Sequence, residues 1–480
     1  MNKDKLDDLE THYSCIIVGG GIVGAAIYRE LAHHGISTLI IDKKDFCSQT
    51  SSKSSKLLHG GLRYLENFDF ALIKEALFEK NLWVDIAPKL AKSESFILPI
   101  YKDSHRPLWM LRIGLFLYDL LSAFKNRPHK ILSKKRALEL CPSLKKEGLK
   151  GAGLYHDAVV DDLKLGLEII LESSKLKNAQ ACNYTALEDF VIKDNGQTLE
   201  CLIEDKITKR QKFISTSKLI FALGPFSDQV LSKMSAIQWK NVLLPSRGSH
   251  IRIPRDCLNI SESIVMTPND GRVIFVIPYS DYILIGTTET KIEKDFFDLK
   301  VAQEDIDYLI ANTNEFFPKA NIQESHIISS FCGVRPLVSE EDSQSRGKTS
   351  RVHKVYRPHK NIYSIVGGKY TTFRTMAQDI TKEIIKASGL RYDETYSMNP
   401  IISHNLNPYN FSKEELSSYL KITLVRNFED FIIRRLGIFS RDHWKHEQDF
   451  NSYFSQYSDI FSECLDQFDL ADIELFGTNT

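Results

Sequence analysis

The stretch YSCIIVGGGIVGAAIYRELAHHGISTLIIDKKD, Tyr13 to Asp45, constrains the fold more than any other part of the chain. Tyr13 to Val18 read as a buried strand, Ile22 to His34 carry an amphipathic helical period, and Thr38 to Ile41 form a second strand that ends at Asp42. Between the first strand and the helix, Gly19, Gly21 and Gly24 fit GxGxxG. Gly19 allows the tight turn, Gly21 lets the backbone approach a pyrophosphate, and Gly24 lets helix and strand pack closely, with the helix N-terminus facing the phosphates. Asp42 is then placed to accept hydrogen bonds from an adenosine ribose. A lone GxGxxG is a weak signal, because a glycine-rich turn can bind nothing. Here strand, helix, second strand and acid arrive in register, and a bound dinucleotide is the expectation.

The turn alone does not separate FAD from NAD. Its place near residue 20 and a second glycine-rich segment, IVGGKYTTFRTMAQD from Ile365 to Asp379, favour FAD. That segment reads as a strand running into a helix. A flavin enzyme needs such a second helix N-terminus, because reduced flavin carries negative charge near N1 and C2=O that oriented amides stabilise. Gly368, Lys369 and Thr371 are therefore expected on the cofactor. The runs CIIVG, STLIID, KLIFALG, VIFVIPY, YILIGTT and IYSIVGG alternate with helical patterns and give an α/β class. A length of 480 residues suits two or three domains. SMNPIISHNLNPYN, Ser397 to Asn410, reads as a linker, after which Ser412 is a helix N-cap and the chain is mostly helical to about Asp472.

Between the two glycine segments lies SQTSSKSSKLLHGGLRYLE, Ser48 to Glu66. Ser51 and Ser52, the pair Gly60 and Gly61, and the basic Lys56, His59 and Arg63 suit a loop that grips an extended cofactor through hydroxyl and backbone donors. Composition alone would equally suit a solvated surface loop.

The balance of 62 basic and 62 acidic side chains gives no global field to draw the chain to nucleic acid or to anionic lipid. Eight scattered cysteines without a CxxC pair suggest neither a metal site nor a redox dithiol, and reduced thiols in a cytoplasmic setting are expected. MNKDKLDDLETHY is too polar for a signal peptide. The most apolar window, Pro107 to Phe124, is interrupted by Arg112 and Asp119 and reads as a core helix. The alternative is a helix lying on a membrane surface with Trp109, Phe116 and Tyr118 at the interface.

The serine-rich loop leading into HGGLRYLE resembles that of the FAD-dependent glycerol-3-phosphate dehydrogenase family. LYHDAVVDDLKL from Leu154, LIFALGPFSD from Leu219, PSRGSHIRIP from Pro245, DGRVIFVIPY from Asp270, ILIGTTET from Ile283, FCGVRPL from Phe331, TSRVHKV from Thr349 and GGKYTTFRTMA from Gly367 match in the same order, as does NFEDFIIRRLG near the C-terminus. HGGLRYLE, GVRPL and GGKxTT are the elements that separate this family from amine oxidases sharing the dinucleotide fold.

The resemblance implies a Rossmann-like FAD-binding domain of the glutathione-reductase/D-amino-acid-oxidase type, an antiparallel-sheet substrate domain and a small helical C-terminal unit. The expected boundaries are 13–66, 151–235 and 345–390 for FAD, 67–150 and 236–344 for substrate, and 411–480 for the helices. It also implies oxidation of sn-glycerol 3-phosphate at C2, with Arg63, Tyr64, Arg335, Arg351 and Lys369 holding substrate, and His250, Arg335 or His59 acting in catalysis. A dianionic phosphate suits several cationic forks, and an imidazole suits proton transfer near neutrality. Gly224 joins the expected cofactor contacts. Electrons are expected to pass to a quinone, which asks for peripheral contact with the cytoplasmic face of a membrane; oxygen is the other acceptor. Phe221, Leu223 and Phe226 depart from the family's usual residues, as do Glu289 and Lys164. A shortened connection before the C-terminal helices bears on membrane docking and on an expected homodimer.

Overall fold

The runs CIIV and TLII offer no polar face, and in the structure they occupy the middle of a parallel sheet, buried on both sides. The computed structural model describes residues 6–292, 296–297, 299–338, 353–404, 413–427 and 430–436. The chain divides into two units, one formed by Met1–Ser52, Leu163–Pro245 and Arg335–Thr480, the other by Lys53–Asp162 and Ser246–Val334.

In the first unit the strands lie in the spatial order 354–359, 362–366, 211–221, 12–18, 38–41 and 179–182, and the five from 362–366 to 179–182 pair in parallel. His12–Val18 is the hub. From it the chain builds outward to Thr38–Ile41 on one side and returns on the other at Gln211–Phe221, so the strand order reverses beside it. In open α/β sheets the crevice at such a switch point is where ligands bind. Helix α1, Ile22–His33, follows the glycine turn and packs against the helix Phe373–Ala387. Phe221 lies fully buried in the core of this unit with Phe190 and Leu199, which is where the departure from a small polar residue is absorbed.

In the second unit a mostly antiparallel sheet runs 290–291, 246–254, 282–286, 274–278, 263–266, 91–101, 149–160 and 57–58. Helices α2, Phe70–Ile86, and α3, Leu108–Leu121, pack on it. A Cβ at Gly153 would meet Leu111 and Leu115 of α3 at under 3 Å, and one at Gly151 would meet Leu108 at 3.1 Å, so small residues on the strand let α3 seat closely. The other core layer is aliphatic, with Ile251, Ile253, Ile264, Val276 and Ile285.

The two compact units divide the chain differently from the expected domains in several places. Residues 53–66 and 151–162 belong with the second unit, because Leu57–Leu58 pairs with Ala158 and Val159 of a strand that is itself zipped along Ala91–Tyr101. Residues 236–245 belong with the first, where Trp239 packs on the core and Leu243 bridges Val338. Of the expected C-terminal helices the described residues include Lys413–Ile422 and a π-helical turn at Asp430–Arg435; Ser412 lies outside them.

The apolar window forms α3 and is half core, half surface. Leu111, Leu115 and Tyr118 are buried, whereas Trp109, Ile113, Phe116 and Leu120 form an exposed row that continues to Phe124. Tyr118 is interior, as the core-helix expectation has it and the surface-helix alternative does not: it falls on the inner side of the helical period, three residues from Leu115 and seven from Leu111. Among the described residues no helix is long and apolar enough to cross a membrane.

Candidate functional site

The glycine turn is built by close approach. Gly19 has φ +108°, and a Cβ there would lie 2.5 Å from the Ala222 carbonyl oxygen across the switch point. A Cβ at Gly24 would lie 1.9 Å from the Gly19 carbonyl oxygen, whereas one at Gly21 would meet only Ser51 Oγ, at 3.0 Å. The turn is held from outside by side chains: Gly20 N donates to Asp42 Oδ2 at 2.8 Å, Lys44 N to Asp42 Oδ1 at 2.9 Å, and Ile22 N to Ser51 Oγ at 2.9 Å. Ser51, expected on the cofactor, therefore also supplies an acceptor at the start of α1. Ser52 Oγ donates to the Gln49 carbonyl at 3.0 Å.

Asp42 sits where a ribose would be read, and desolvation pushes its carboxyl up to about 6 although the Lys44 and Gly20 amides oppose the shift. A carboxylate accepts from ribose hydroxyls, and a protonated carboxyl does so less well. FAD affinity is therefore expected to weaken as pH falls through about 6, by up to about tenfold per pH unit. The sign for folding alone is opposite: with the folded value raised above the ordinary one, the group's contribution to apoprotein stability is fullest below about 4 and is lost as pH rises through about 6. Calorimetric FAD titrations at several pH values test this; Asp42→Asn should flatten the profile, and an unchanged slope would remove Asp42 from the ribose.

The second glycine segment forms as expected. Strand Ile362–Val366 ends at Gly367 and Gly368, with φ of +85° and +80°, and passes through a tight turn at Tyr370–Thr372 into the helix Phe373–Ala387. Thr371 is buried and Lys369 half-buried at that helix's entry. Gly224, φ +55°, opens the short turn after Gln211–Phe221. Gly19, Gly21, Gly24, Asp42 and Ser51 thus form one constellation at the switch point, and Gly368 to Thr371 supply a second helix entry in the same unit.

In the second unit the serine loop is anchored by buried polar pairs. Lys56 Nζ lies 2.5 Å from Asp162 Oδ1, and Ser54 Oγ donates to Asp162 Oδ2 at 2.6 Å, so Lys56, expected on the cofactor, also holds the loop by an ion pair. Ser55 Oγ lies 2.9 Å from His250 Nε2, and the His250 ring stacks on Phe331 with centroids 4.8 Å apart. A Cβ at Gly286 would intrude to 2.1 Å from that ring, so glycine there admits the histidine. His59 is half-buried with its ring 6.3 Å from that of Phe275, Gly60 and Gly61 are buried, Tyr64 packs on Gly61, and Arg63 is exposed. Arg335 ends the strand Ser329–Arg335 and is half-buried; Arg351 lies outside the described residues.

Two groups escaped sequence reading. Asp157 accepts from Gly60 N, and Asp45 is gripped by Arg434 and Arg435. The LYHDAVV and IIRRLG segments flagged the regions but not the partners, which are 97 and 390 residues away in sequence.

A cradle that only glycine can line at a switch point, an acid at the end of the second strand and a second helix entry fit FAD, and the class they define is that of an FAD-dependent oxidoreductase. The family model described as DAO, FAD dependent oxidoreductase, matches residues 14–375. Aerobic glycerol-3-phosphate dehydrogenase of Staphylococcus aureus (strain USA300) is 35% identical over 387 residues, 80% of this chain and 69% of that protein. The chain belongs to the aerobic glycerol-3-phosphate dehydrogenase family, and FAD is its cofactor. The solved glycerol-3-phosphate dehydrogenase of Bacillus halodurans, complexed with FAD, superposes with TM-score 0.73 at 24% identity, covering 96% of this chain and 91% of that one. L-alpha-glycerophosphate oxidase of Mycoplasma pneumoniae gives TM-score 0.64 at 17% identity over 83% of this chain and 100% of that one.

Proposed function

We propose that the chain oxidises sn-glycerol 3-phosphate to dihydroxyacetone phosphate and passes the electrons to a quinone. The observation that carries the substrate is the 35% identity to the Staphylococcus aureus enzyme across 80% of the chain. Bound FAD supplies the hydride acceptor. In this reading His250 takes the proton of the C2 hydroxyl, its ring held in one orientation by Ser55 and Phe331. His59 is the second candidate. Arg63, Tyr64 and Lys369, with Arg351, bind the phosphate, and Arg335 stabilises the developing alkoxide. Arg335→Ala is then expected to slow substrate-dependent flavin reduction by about 2 kcal/mol or more, roughly thirtyfold, with FAD retained.

The quinone rests on the exposed row of α3. Trp109 is 66% exposed and Phe116 53%, and the row is flanked by exposed Arg112, Lys125, Arg127 and Lys130. An apolar stripe with aromatic residues and cations beside it suits a lipid surface, where a lipid-soluble acceptor resides. Oxygen is the competing acceptor. An anaerobic titration with glycerol 3-phosphate, followed by addition of a quinone analogue or of air, tests both steps. The flavin band should bleach and then return faster with quinone. No bleaching overturns the substrate; rapid return with air and hydrogen peroxide release, with no response to quinone, overturns the acceptor. Glycine, sarcosine and 2-hydroxy acids serve as substrate controls.

A further inference from the structure

The backbone of Gly60 lies flush against two helices: a Cβ there would come within 2.6 Å of Leu77 of α2 and of the Tyr118 hydroxyl of α3. Gly60 N donates to Asp157 Oδ1 at 3.3 Å, and the Tyr118 hydroxyl sits 2.8 and 2.9 Å from the two oxygens of the same carboxylate. Asp157 and Tyr118 are 3% and 0% exposed. A buried carboxylate is costly to keep, and it persists where its partners compensate. Here they are the Tyr118 hydroxyl, the Gly60 amide and the nearby Lys80, whose ammonium donates to Asn126 Oδ1 at 2.6 Å. Asn126 and Arg127, in the loop after α3, reach the neighbouring His156 through Asn126 Nδ2 to the His156 carbonyl and the Arg127 carbonyl to His156 Nδ1. α3 and its following loop are thus bound to Asp157, which holds the Gly60 amide, and to its strand neighbour His156.

The glycine pair is what presents the loop. Gly61, φ +76°, turns the chain between His59 and Arg63, and Tyr64 closes over it. The Asp157 acceptor fixes the amide one residue before that turn. Without it the turn keeps its sequence but loses its anchor on the α3 side.

We infer that Tyr118 and Asp157 are positioning residues that set the His59–Tyr64 turn for substrate, a role beyond packing α3 onto the sheet. The inference rests on the reading above that Arg63 and Tyr64 meet glycerol 3-phosphate. Tyr118→Phe conserves volume and removes only the hydroxyl, Asp157→Ala removes the acceptor, and Asp157→Asn keeps an oxygen for Gly60 N and an amide that can donate to Tyr118.

In the FAD-loaded full chain, amide exchange of Gly60 should speed up about tenfold in Tyr118→Phe and more in Asp157→Ala, with KM for glycerol 3-phosphate up about tenfold and kcat changed less than about threefold. Asp157→Asn should return KM to within about threefold of the parent. Faster exchange or a lower melting temperature with KM unchanged makes the pair merely structural and overturns the inference. So does a rise of KM in Asp157→Asn equal to that in Asp157→Ala. If glycerol 3-phosphate leaves the parent flavin unbleached, the substrate reading has failed; the Gly60 exchange rates then judge the anchoring separately, and unchanged rates in Tyr118→Phe overturn it too.

Discussion

Replacing Arg435 by alanine is expected to cost about 3–5 kcal/mol of folding stability, the range for stripping one partner from a buried ion pair. Arg435 and Asp45 are both fully buried, and the guanidinium makes two contacts with the carboxylate, Nη1 to Oδ2 at 2.5 Å and Nη2 to Oδ1 at 3.0 Å. Its Nε also donates to the Thr423 carbonyl at 2.8 Å, so truncation orphans a backbone acceptor as well. Arg434 and Asn183 would remain on Asp45, at 2.8 and 2.7 Å, which is why the cost is not larger.

The loss reaches the cofactor turn through a short path. Two residues after Asp45, Cys47 N donates to the Gly20 carbonyl at 3.0 Å, and Phe46 packs where a Gly20 Cβ would sit. Weakened FAD retention should therefore accompany the lower melting temperature. The pH dependence has a definite sign. Burial pushes the Asp45 carboxyl up, but the Arg435 and Arg434 charges overcome this and hold it below its ordinary value. Its contribution is present above about 4 and is lost as pH falls through the folded value. The stability gap between parent and variant, read from chemical denaturation, should be widest near neutrality and narrow toward acid. A variant that melts with the parent and keeps its FAD would show that the C-terminal arginines do not brace the dinucleotide domain.

The contrast between the two halves of the cofactor evidence explains what the sequence made legible. His12–Val18, Ile22–His33 and Thr38–Ile41 formed within a residue or so of expectation, because a buried parallel strand, an amphipathic helix and a glycine turn each leave a local period. The second strand-to-helix entry at Gly367 was legible for the same reason. The ion-pair partner of Lys56 was not, since nothing local to a lysine in a serine loop points to Asp162, over a hundred residues away. Tyr118 and Asp119 lie inside because the helical period through Leu111 and Leu115 turns both inward, as a core helix requires. Asp157 and the Asp45 clamp depend on pairings that exist only once the strands Leu149–Val160 and Thr38–Ile41 have neighbours.

Two glycines of the turn are expected to fail in different ways. At Gly24 the added methyl would lie 1.9 Å from the Gly19 carbonyl oxygen and 3.4 Å from Ala222, both parts of the switch-point scaffold. Backbone cannot swing aside as a side-chain end can, so Gly24→Ala must push α1 off the sheet, costing about 1–3 kcal/mol or more. At Gly21 the methyl would meet only the Ser51 hydroxyl at 3.0 Å, and Gly21 lies in ordinary extended backbone at φ −76° and ψ −177°. Within the protein only the end of the Ser51 side chain must give by a few tenths of an ångström, and the stronger demand for glycine is expected from a pyrophosphate approaching this amide. Gly21→Ala should accordingly leave the apoprotein's melting temperature within about a degree or two of the parent while raising the FAD dissociation constant tenfold or more, about 1.4 kcal/mol at least. Gly24→Ala should lower the melting temperature even without FAD. Thermal melts of both apoproteins, paired with FAD titrations, decide it: equal melting losses would make Gly21 a packing glycine, and unchanged FAD affinity in Gly21→Ala would move the pyrophosphate away from this turn.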